Sequence, residues 1–376
     1  MPDTLRVLLL NERDPLHPKA GGAEVHVAEI AKRLARRGIA MTQLAVGFPG
    51  AAAREQLDGL EVRRLGPVPV YYPRTVATTA WETRHGRWDL VVEHLNKVPF
   101  CARAYATGPV LAVNHHLFGE SAFLQVAWPL AAAVVAIEKL IPRIYRDVPC
   151  LAVSESSRDD LVRRGLRREQ IGLLYNGITF PTRQPIQVSA RPCRVAYLGR
   201  LESYKRIDRL LRACAALVER FPQLEIVLIG RGAERERLET LAAELGIAER
   251  SRFTGFVSDA ERDALLAGAR VAVCPSVKEG WGLTVIECNA LGVPVVATDA
   301  PGLRDAVRHG ETGLLVPDGD AEAFTADLRD AIGGLLRDEL QLAQLASEAH
   351  RWAQGFDWER SAEVMAEAVR EAAAPA

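Results

Sequence analysis

Short apolar runs alternate with helical patterns along the whole chain. Runs rich in valine, isoleucine and leucine predict strands in the first half at 5–10, 41–46, 62–65, 90–92, 110–114, 150–154 and 171–175. In the second half they predict strands at 195–198, 224–229, 271–274 and 293–297. Strands that alternate with helices are typical of parallel sheets covered by helices. The pattern therefore predicts an α/β fold.

The clearest helical pattern lies at 24–37 and ends at Gly38. Its apolar stripe has the i, i+3, i+4, i+7 spacing of one helix face and consists of Val27, Ile30, Ala31 and Leu34.

A proline-containing segment at 181–192 separates two such alternating halves. We therefore predict two Rossmann-like, doubly wound parallel-sheet domains, at 1–185 and 186–355, that face a central cleft. Ligands of such domains bind at the carboxyl ends of the strands. A further helical pattern closes the chain at 356–376.

Length and composition fit a globular protein with two domains. The chain has 376 residues, of which 48% are hydrophobic and 25% are charged, enough to bury two cores. Residues 1–180 carry 23 Lys and Arg against 18 Asp and Glu, whereas residues 181–376 carry 24 against 30. The mildly basic first half suits an anionic acceptor or an anionic membrane surface, although scattered surface charge explains the asymmetry almost as well.

The cysteines and the N-terminus bear on the compartment. The six cysteines have no C-x-x-C spacing and lie mostly in or beside apolar runs, as buried free thiols do. Neither a disulfide framework nor a zinc site is expected from them. The apolar run after Met1 is too short for a signal peptide. We expect a cytoplasmic protein, with peripheral contact at the inner membrane face as an alternative.

Two carboxylates, Glu279 and Glu287, lie eight positions apart across a predicted strand-to-helix turn. Gly280 and Gly282 permit a tight backbone turn beside a ligand, and 283–291 then has a helical pattern. The first turn of that helix presents N–H groups and a partial positive charge, which can hold a phosphate. Glu279 could accept hydrogen bonds from sugar hydroxyls, and Glu287 from a ribose diol. Alternatively, Glu279 caps the helix and Glu287 is a solvated surface acid.

This segment resembles the donor-binding region of retaining, metal-independent glycosyltransferases of sequence family 4, which have the GT-B fold. The shared pattern is Pro-Ser, an acid, Gly-aromatic-Gly, a second acid and Gly-x-Pro-Val. In this chain it is formed by Pro275, Ser276, Glu279, Gly280, Trp281, Gly282, Glu287, Gly292, Pro294 and Val295. The resemblance continues at 199–205 and at 21–22, so it covers nearly the whole chain. In this family the terminal helix crosses back to the N-terminal domain.

The resemblance implies roles for the matching residues. Arg200 and Lys205 would neutralise the donor diphosphate and stabilise the charge on the leaving group. Glu279 would position the sugar, and His115 would form a hydrogen bond to it. The further donor-binding positions are Gly21, Gly22, Gly199, Gly230, Phe256, Val257, Gly280, Trp281, Gly282, Leu283 and Glu287. Without the resemblance, Arg200 and Lys205 are a solvated pair on a basic helix, and a histidine near a strand end is usually structural.

Asp318, Gly319 and Asp320 spell D-x-D, which holds a divalent metal in other glycosyltransferases. Here the triplet follows a short strand-like run at 314–316 and precedes a helical pattern, so we interpret it as a helix cap and expect neither a metal nor another cofactor. Two positions depart from the family pattern: 301–303 lacks the usual Gly-Gly pair, and Asp305 replaces a glutamate. A contact between this loop and the donor sugar is therefore in doubt.

The apolar run at 123–137 contains Pro129 and a single polar residue, Gln125. It is shorter than the ~17 to 25 residues that a membrane-spanning helix needs. One interpretation is a buried helix, and the other is a helix that faces an apolar acceptor or a membrane. Three cations follow it, Lys139, Arg143 and Arg146, and cations beside an apolar helix can meet anionic head groups.

Together these features predict a glycosyltransferase with the donor mainly on the second domain and the acceptor on the first. It would move a sugar from a UDP- or GDP-linked donor to an acceptor hydroxyl with retention of configuration, in cell-surface glycan or glycolipid synthesis. The acceptor would be a carbohydrate, a lipid-linked molecule or a small molecule, and no nucleic acid partner is expected. The alternatives are an epimerase or phosphorylase of related fold, and a nucleotide-sugar-binding protein without turnover.

Overall fold

The computed structural model describes residues 4–96, 98–117, 119 and 128–374. The chain divides into two compact units, the first formed by 1–177 together with 358–376 and the second by 178–357. The second unit is thus one continuous stretch, whereas the first is completed by the C-terminal segment. The chain passes between the units at 177–178 and 357–358, and the divisions predicted from the sequence are at 185–186 and 355–356.

The first unit contains an eight-stranded sheet. Its strands are β1 (Leu5–Leu10), β2 (Ile39–Ala45), β3 (Arg54–Leu57), β4 (Leu60–Arg64), β5 (Leu90–Leu95), β6 (Val110–Asn114), β7 (Cys150–Ala152) and β8 (Ile171–Leu173). Their order in space is β3-β4-β2-β1-β5-β6-β7-β8. Among these strands, only β3 and β4 pair antiparallel. The order reverses between β1 and β5, because β2 lies on one side of β1 and β5 on the other.

Helices cover both faces of this sheet. They are α1 (Gly22–Ala35), α2 (Val68–Arg84), α3 (Trp128–Glu138), α4 (Ile141–Ile144), α5 (Glu155–Arg163) and the C-terminal helix (Trp358–Ala373). One face packs against the apolar stripe of α1 and against Met365 of the C-terminal helix. The other packs against Tyr71 of α2 and Leu161 of α5. Covering both faces explains why the central strand is apolar at consecutive positions, and 7–10 are fully buried.

The second unit contains a six-stranded parallel sheet. Its strands are β9 (Arg194–Leu198), β10 (Glu225–Ile229), β11 (Ser251–Gly255), β12 (Val271–Cys274), β13 (Val295–Thr298) and β14 (Gly313–Val316). Its helices are α6 (Ile207–Ala215), α7 (Arg235–Glu244), α8 (Asp259–Ala267), α9 (Leu283–Ala290), α10 (Leu303–Ala306), α11 (Ala321–Arg337) and α12 (Glu339–Ala353). The strand order is β11-β10-β9-β12-β13-β14. It reverses between β9 and β12.

The α/β prediction is confirmed, and most predicted strands lie within a residue or two of the observed ones. Two strands were not predicted: β3, which is largely polar and lies at a sheet edge, and β11, which mixes polar and apolar residues. The strand predicted at 150–154 ends at Ala152, because Ser154 caps α5 by accepting a hydrogen bond from the Ser157 N–H.

Part of the apolar run at 123–137 lies outside the described residues. Residues 128–137 fall in α3, whose side chains at Ala131 and Val134 are buried, while Trp128 and Leu130 are exposed. The described part of the run therefore contains both buried and exposed side chains. Within the part of the chain that the structure describes, no helix combines the length and apolar content that crossing a membrane requires.

Candidate active site

The predicted donor residues of the second unit collect where its strand order reverses. The carboxyl ends of β9 and β12 are neighbours in the sheet, and the segments that follow them are 199–205 and 275–282. In open parallel sheets such a reversal leaves a crevice outside the strand ends, where ligands bind. The fold thus brings together two segments that are far apart in sequence.

Glycines allow the loops after β9 and β10 to approach closely. Gly199 has a φ of +151°, and a Cβ at this position would lie 2.8 Å from the Tyr197 hydroxyl oxygen. A Cβ at Gly230 would lie 2.0 Å from the Gly199 carbonyl oxygen, and one at Gly232 would lie 2.1 Å from the Leu201 carbonyl oxygen. Backbone packing alone therefore explains these glycines, and a donor contact by Gly230 stays a prediction.

Lys205 and Glu279 form an ion pair between the two segments. The lysine is 9% exposed. Burial is the largest single effect and lowers the pKa of Lys205, but the charge of Glu279 together with smaller effects of Tyr197 and Tyr204 outweighs it, so the pKa lies above its ordinary value and the ammonium stays charged. The Val277 N–H also donates to the Tyr204 carbonyl, with an N···O distance of 3.0 Å. The sequence placed both charged residues near the donor but did not show that they bind each other.

Arg200 differs from Lys205 in its environment. Its side chain is exposed, and its guanidinium Nη2 donates to the Tyr204 hydroxyl at 2.8 Å. This bond orients the guanidinium while leaving other N–H groups of the fork for a ligand. The two predicted diphosphate-binding cations therefore lie on one segment, one exposed and one buried in an ion pair.

The turn before α9 is held by a second loop. Gly282 is the N-cap of α9 with a φ of +83°, and the Glu279 N–H donates to the Pro301 carbonyl at 3.1 Å. A Cβ at Gly302 would lie 2.3 Å from the Glu279 carbonyl oxygen. Gly282 has no side chain that could cap the first N–H groups of α9, although the Val285 N–H donates to the Gly282 carbonyl at 2.9 Å. A helix start without a side-chain cap suits an anion. The loop at 301–303, where a sugar contact was in doubt, thus fixes this turn.

The other residues of this turn differ in burial. Trp281 is 3% exposed, and its ring packs against Phe356 with centroids 5.0 Å apart. Its side chain therefore belongs to the core. Gly280 lies in the turn, and Leu283 begins α9 as a half-buried residue.

Glu287 lies one turn into α9, and its side chain is 24% exposed. Burial raises the pKa of this carboxyl to about 7, against the opposing effect of Arg262 and with a smaller rise from Asp263 and Asp259. Arg262 is a neighbouring cation, and its Nη1 lies 3.7 Å from Oε1 of Glu287. Glu287 is thus a carboxyl that changes charge near neutral pH.

Two of the predicted donor-binding positions, Phe256 and Val257, follow β11. Gly255 has a φ of +72°, and Phe256 beside it is 78% exposed. The Arg231 guanidinium lies 5.1 Å from the Phe256 ring centroid, within the range of a cation–π contact. Val257 is half-buried. An exposed aromatic ring with a neighbouring guanidinium is a feature that the sequence alone did not single out.

Gly21 lies between β1 and α1 in the first unit, and Gly22 is the first residue of α1. Gly21 is the N-cap, and its N–H donates to Glu24 Oε2 at 2.7 Å. Among the described residues, a Cβ at Gly21 would meet nothing closer than 3.7 Å, and its φ of −146° is extended. Neither packing nor backbone conformation therefore requires glycine here.

His115 follows β6 and is buried together with two other histidines. His94 lies in β5, His26 lies in α1, and the exposed fractions of the three are between 1% and 4%. His115 Nε2 lies 3.1 Å from His94 Nδ1, and His26 Nδ1 lies 2.8 Å from Asn176 Oδ1. Burial lowers the pKa of His26 to about 4 and keeps those of His94 and His115 well below their ordinary value.

Sequence reasoning selected only His115 from this cluster. The available signal was that His26 lies next to the apolar stripe of α1, and that His94 falls in a strand whose other residues, apart from Glu93, are apolar. Neither shows by itself that the three rings meet. That proximity depends on the pairing of β5 with β6 and on the packing of α1 against the sheet.

The D-x-D triplet is a helix cap at its second aspartate, as predicted. Asp320 is the N-cap of α11, and its carboxylate accepts hydrogen bonds from the N–H groups of Glu322 and Ala323, each at 3.0 Å. These bonds lower the pKa of Asp320. Asp318 instead pairs with Arg206, with an N···O distance of 2.6 Å.

Two protein families match the chain. The family described as glycosyltransferase family 4 matches residues 20–180, and the one described as glycosyl transferases group 1 matches residues 181–352. A D-inositol 3-phosphate glycosyltransferase from Rhodococcus opacus (strain B4) is 32% identical over 93% of this chain and 86% of its own length. A phosphatidyl-myo-inositol mannosyltransferase from Mycobacterium leprae (strain TN) is 31% identical over 90% of each chain.

Solved structures agree with the two-unit architecture. A sucrose-phosphate synthase from Thermosynechococcus elongatus has a TM-score of 0.80 with this chain at 25% identity, and 98% of each chain is covered. The fold is therefore GT-B, with two Rossmann-like parallel-sheet domains. On the family matches and the curated relatives together, the chain belongs to the group 1 (family 4) glycosyltransferases and is a glycosyltransferase.

Proposed function

We propose that this enzyme transfers a sugar from a UDP- or GDP-linked donor to an acceptor hydroxyl, with retention of the anomeric configuration and without a divalent metal. The observation that carries the proposal is the Lys205–Glu279 ion pair at the strand reversal of the second unit. It joins a candidate diphosphate cation to a candidate sugar-binding carboxylate. The relatives that support the proposal are glycosyltransferases by name.

The donor diphosphate would be bound by positive groups from two segments. Arg200 presents an exposed guanidinium, and the first turn of α9 presents backbone N–H groups behind Gly282. Lys205 adds a charge that Glu279 keeps in place. Such preorganised positive groups stabilise the negative charge that develops as the diphosphate leaves, and they can serve that purpose in place of a metal ion.

The two carboxylates would have different tasks. Glu279 is held as an anion by Lys205, which suits a hydrogen-bond acceptor for sugar hydroxyls better than a nucleophile. Glu287, farther along α9, would accept hydrogen bonds from the two ribose hydroxyls. Phe256 and the backbone around it would contact the base.

Retention would follow from attack on the face that the leaving group vacates. The bond between the sugar C1 and the diphosphate oxygen breaks, and a bond forms between C1 and the acceptor oxygen. The departing diphosphate takes the proton of the acceptor hydroxyl, so that no separate protein base is needed. A hydrogen bond from His115 to the sugar, and contacts of Gly21 and Gly22 with donor phosphate, stay predictions.

We also propose a phosphate-bearing polyol, free or lipid-linked, as the acceptor. The relatives named above act on D-inositol 3-phosphate and on phosphatidyl-myo-inositol by name, which supports a polyol hydroxyl near a phosphate. The lipid-linked form draws support from α3 and from α4 with its flanking residues. There Trp128 and Leu130 are exposed apolar side chains, and Lys139, Arg143 and Arg146 are exposed cations.

Product analysis with the full chain tests the function. The protein is incubated with UDP- and GDP-linked hexoses, with and without inositol phosphate or phosphatidylinositol, and the products are identified by mass spectrometry and NMR. The proposal expects free nucleoside diphosphate and an acceptor-linked sugar whose anomeric configuration equals that of the donor. An isomerised sugar without acceptor would indicate an epimerase, and consumption of orthophosphate with glycoside cleavage would indicate a phosphorylase. Binding without products would indicate a non-catalytic protein.

A further inference from the structure

Three imidazole rings meet in the interior of the first unit. His26, His94 and His115 each offer a ring nitrogen, and these nitrogens all lie within 4.8 Å of one another. The ring centroids of His26 and His115 are 4.9 Å apart, and those of His94 and His115 are 4.8 Å apart. All three side chains are buried.

One hydrogen bond fixes the state of the first ring. His26 Nδ1 lies 2.8 Å from Asn176 Oδ1. Because an amide oxygen can only accept a hydrogen bond, the proton of the neutral His26 ring is on Nδ1. His26 Nε2 then has a lone pair, and within the described residues this buried atom has no hydrogen-bond partner. A neutral imidazole whose second nitrogen is oriented by an outer partner is the form in which histidine binds metals.

The spacing suits a tetrahedral ion after small movements. In a tetrahedral site with Zn–N bonds of about 2.0–2.1 Å, the ligand nitrogens lie roughly 3.4 Å apart. His115 Nε2 and His94 Nδ1 are 3.1 Å apart, close to that value. The remaining separations, at most 4.8 Å, require side-chain shifts on the order of 1 Å for bonds of that length.

We propose that His26, His94 and His115 form a binding site for one divalent transition-metal ion of the Zn²⁺ class. Imidazole ligands favour Zn²⁺, Ni²⁺ and Cu²⁺, whereas Mg²⁺ and Mn²⁺ prefer oxygen ligands. The site would thus not take the metals that serve phosphate groups in other transferases. It would join α1, β5 and the end of β6, because each element contributes one ligand.

Metal binding by the full, tag-free chain tests the proposal. The protein is stripped with a chelator, dialysed, and titrated with Zn²⁺, with Co²⁺ as a spectroscopic probe and Mg²⁺ as the comparison ion. The expected result is one Zn²⁺ per chain by elemental analysis, visible absorption bands of tetrahedral Co²⁺, a higher Tm with Zn²⁺, and no binding of Mg²⁺. None of these readouts depends on sugar transfer.

Variants locate the ion. His26→Gln removes a ligand, and it should abolish stoichiometric binding and the rise in Tm. Asn176→Ala keeps all three ligands but removes the outer hydrogen bond, and it should weaken Zn²⁺ binding by about 10- to 100-fold. His85→Gln, at an exposed histidine after α2, is the matched control and should bind as wild type does.

Two results would overturn the proposal. One is stripped wild-type protein that takes up less than one Zn²⁺ per chain and shows no Co²⁺ bands, which settles the matter even if a variant fails to fold. The other is folded His26→Gln protein with the wild-type affinity for Zn²⁺, which would place the ion elsewhere.

Discussion

At the scale of single residues, Lys205 and Glu279 depend on each other. The lysine is buried, and the carboxylate is its ionic partner. Removing one member of a buried pair leaves the other charge without compensation and typically costs about 3 to 5 kcal/mol. Arg200 is exposed and bonded to a tyrosine hydroxyl, so its removal should have little effect on the free energy of unfolding.

We predict that Lys205→Ala and Arg200→Ala each lower the transfer rate by roughly 10² or more, because each removes charge stabilisation of the leaving diphosphate. Only Lys205→Ala should also lower the free energy of unfolding, measured by urea denaturation. Arg209→Ala, at a nearby cation of α6 that pairs with Asp208, is the control. Transfer at the wild-type rate in folded Arg200→Ala protein would remove that residue from the site.

Glu287 predicts a pH dependence of donor binding. Its carboxyl has a pKa of about 7, so it is about half protonated in the free protein at neutral pH. Both oxygens of the carboxylate can accept hydrogen bonds, one from each ribose hydroxyl, whereas protonation turns one of them into a donor. Nucleotide binding therefore favours the charged form. Affinity for the nucleoside diphosphate should therefore rise as the pH increases from 6 to 8. Calorimetry over this range measures it.

The matched variant is Glu287→Gln. It should bind the nucleoside diphosphate about 1 to 3 kcal/mol more weakly above pH 7 and should retain only the pH dependence of the ligand itself. The same carboxyl makes the free energy of unfolding fall, rather than rise, as the pH increases. Its folded pKa is above the ordinary 4.5, so its stabilising contribution is present below pH 4.5 and is lost as the pH rises through 7. Parallel pH profiles for both proteins would show that Glu287 does not bind the donor.

Individual residues were predictable from the sequence to different degrees. The motif predicted Glu279 in the loop before α9 and Glu287 within the helix, because their spacing is local. The ion pair with Lys205 was not predictable, since it links segments separated along the chain by three strands, β10, β11 and β12. Trp281 matched the motif, but its burial against Phe356 depends on tertiary packing.

At the scale of elements, the turn into α9 depends on Gly282. Its φ of +83° is unfavourable for a residue with a side chain, and a Cβ there would lie 3.0 Å from the Ala306 Cβ. We predict that Gly282→Ala lowers the free energy of unfolding by about 1 to 3 kcal/mol and weakens nucleoside diphosphate binding, because the first turn of α9 shifts. Urea denaturation and calorimetry measure the two effects.

Gly319→Ala is the control for this substitution. Among the described residues, nothing lies within 4 Å of a Cβ at Gly319, and its φ lies outside the left-handed region. It should leave the free energy of unfolding and nucleotide affinity nearly unchanged. Equal changes in the free energy of unfolding and in nucleotide affinity would show that position 282 is no more sensitive to a side chain than position 319.

Strands buried on both faces were easier to predict than edge strands and helix boundaries. Apolar strands such as β1, β6 and β12 were predicted with the observed bounds, because burial on both faces gives a continuous apolar run. The antiparallel edge strand β3 has alternating exposed and half-buried positions, so its hydrophobic signal is weak. The predicted strand at 150–154 included Ser154, which is the N-cap of α5. The cap acts through a side-chain hydrogen bond rather than through hydrophobicity, so the apolar pattern did not reveal it.

At the scale of the whole molecule, we predict transfer activity without added divalent metal. Arg200, Lys205 and the amides of α9 supply the positive groups for the diphosphate, and Asp320 of the D-x-D triplet is engaged as a cap. Assays with and without chelator should give the same rate below the unfolding temperature. A complete loss that Mg²⁺ or Mn²⁺ restores would contradict the prediction. Restoration by Zn²⁺ alone would instead point to the histidine site.

The exposed end of α3 predicts binding to anionic membranes. Trp128 and Leu130 can insert at the level of the head groups, and each nearby cation contributes about 1 kcal/mol at such a surface. We expect the protein to sediment with anionic vesicles at low salt but not with neutral vesicles or at high salt. Arg143→Glu should reduce sedimentation, whereas Arg84→Glu at the end of α2 should not. Protein that stays in the supernatant with anionic vesicles would favour a water-soluble acceptor.

Because the first unit is discontinuous, it cannot be completed until the second unit has been synthesised. Its core includes Trp358, Met365 and Val369, which leave the ribosome after the whole of the second unit. At 5–20 residues per second, translating the intervening 178–357 takes roughly 10 to 40 s. During that time the apolar stripe of α1 and one sheet face lack the helix that covers them. The N-terminal unit, although most of it is made first, is thus the last to finish folding.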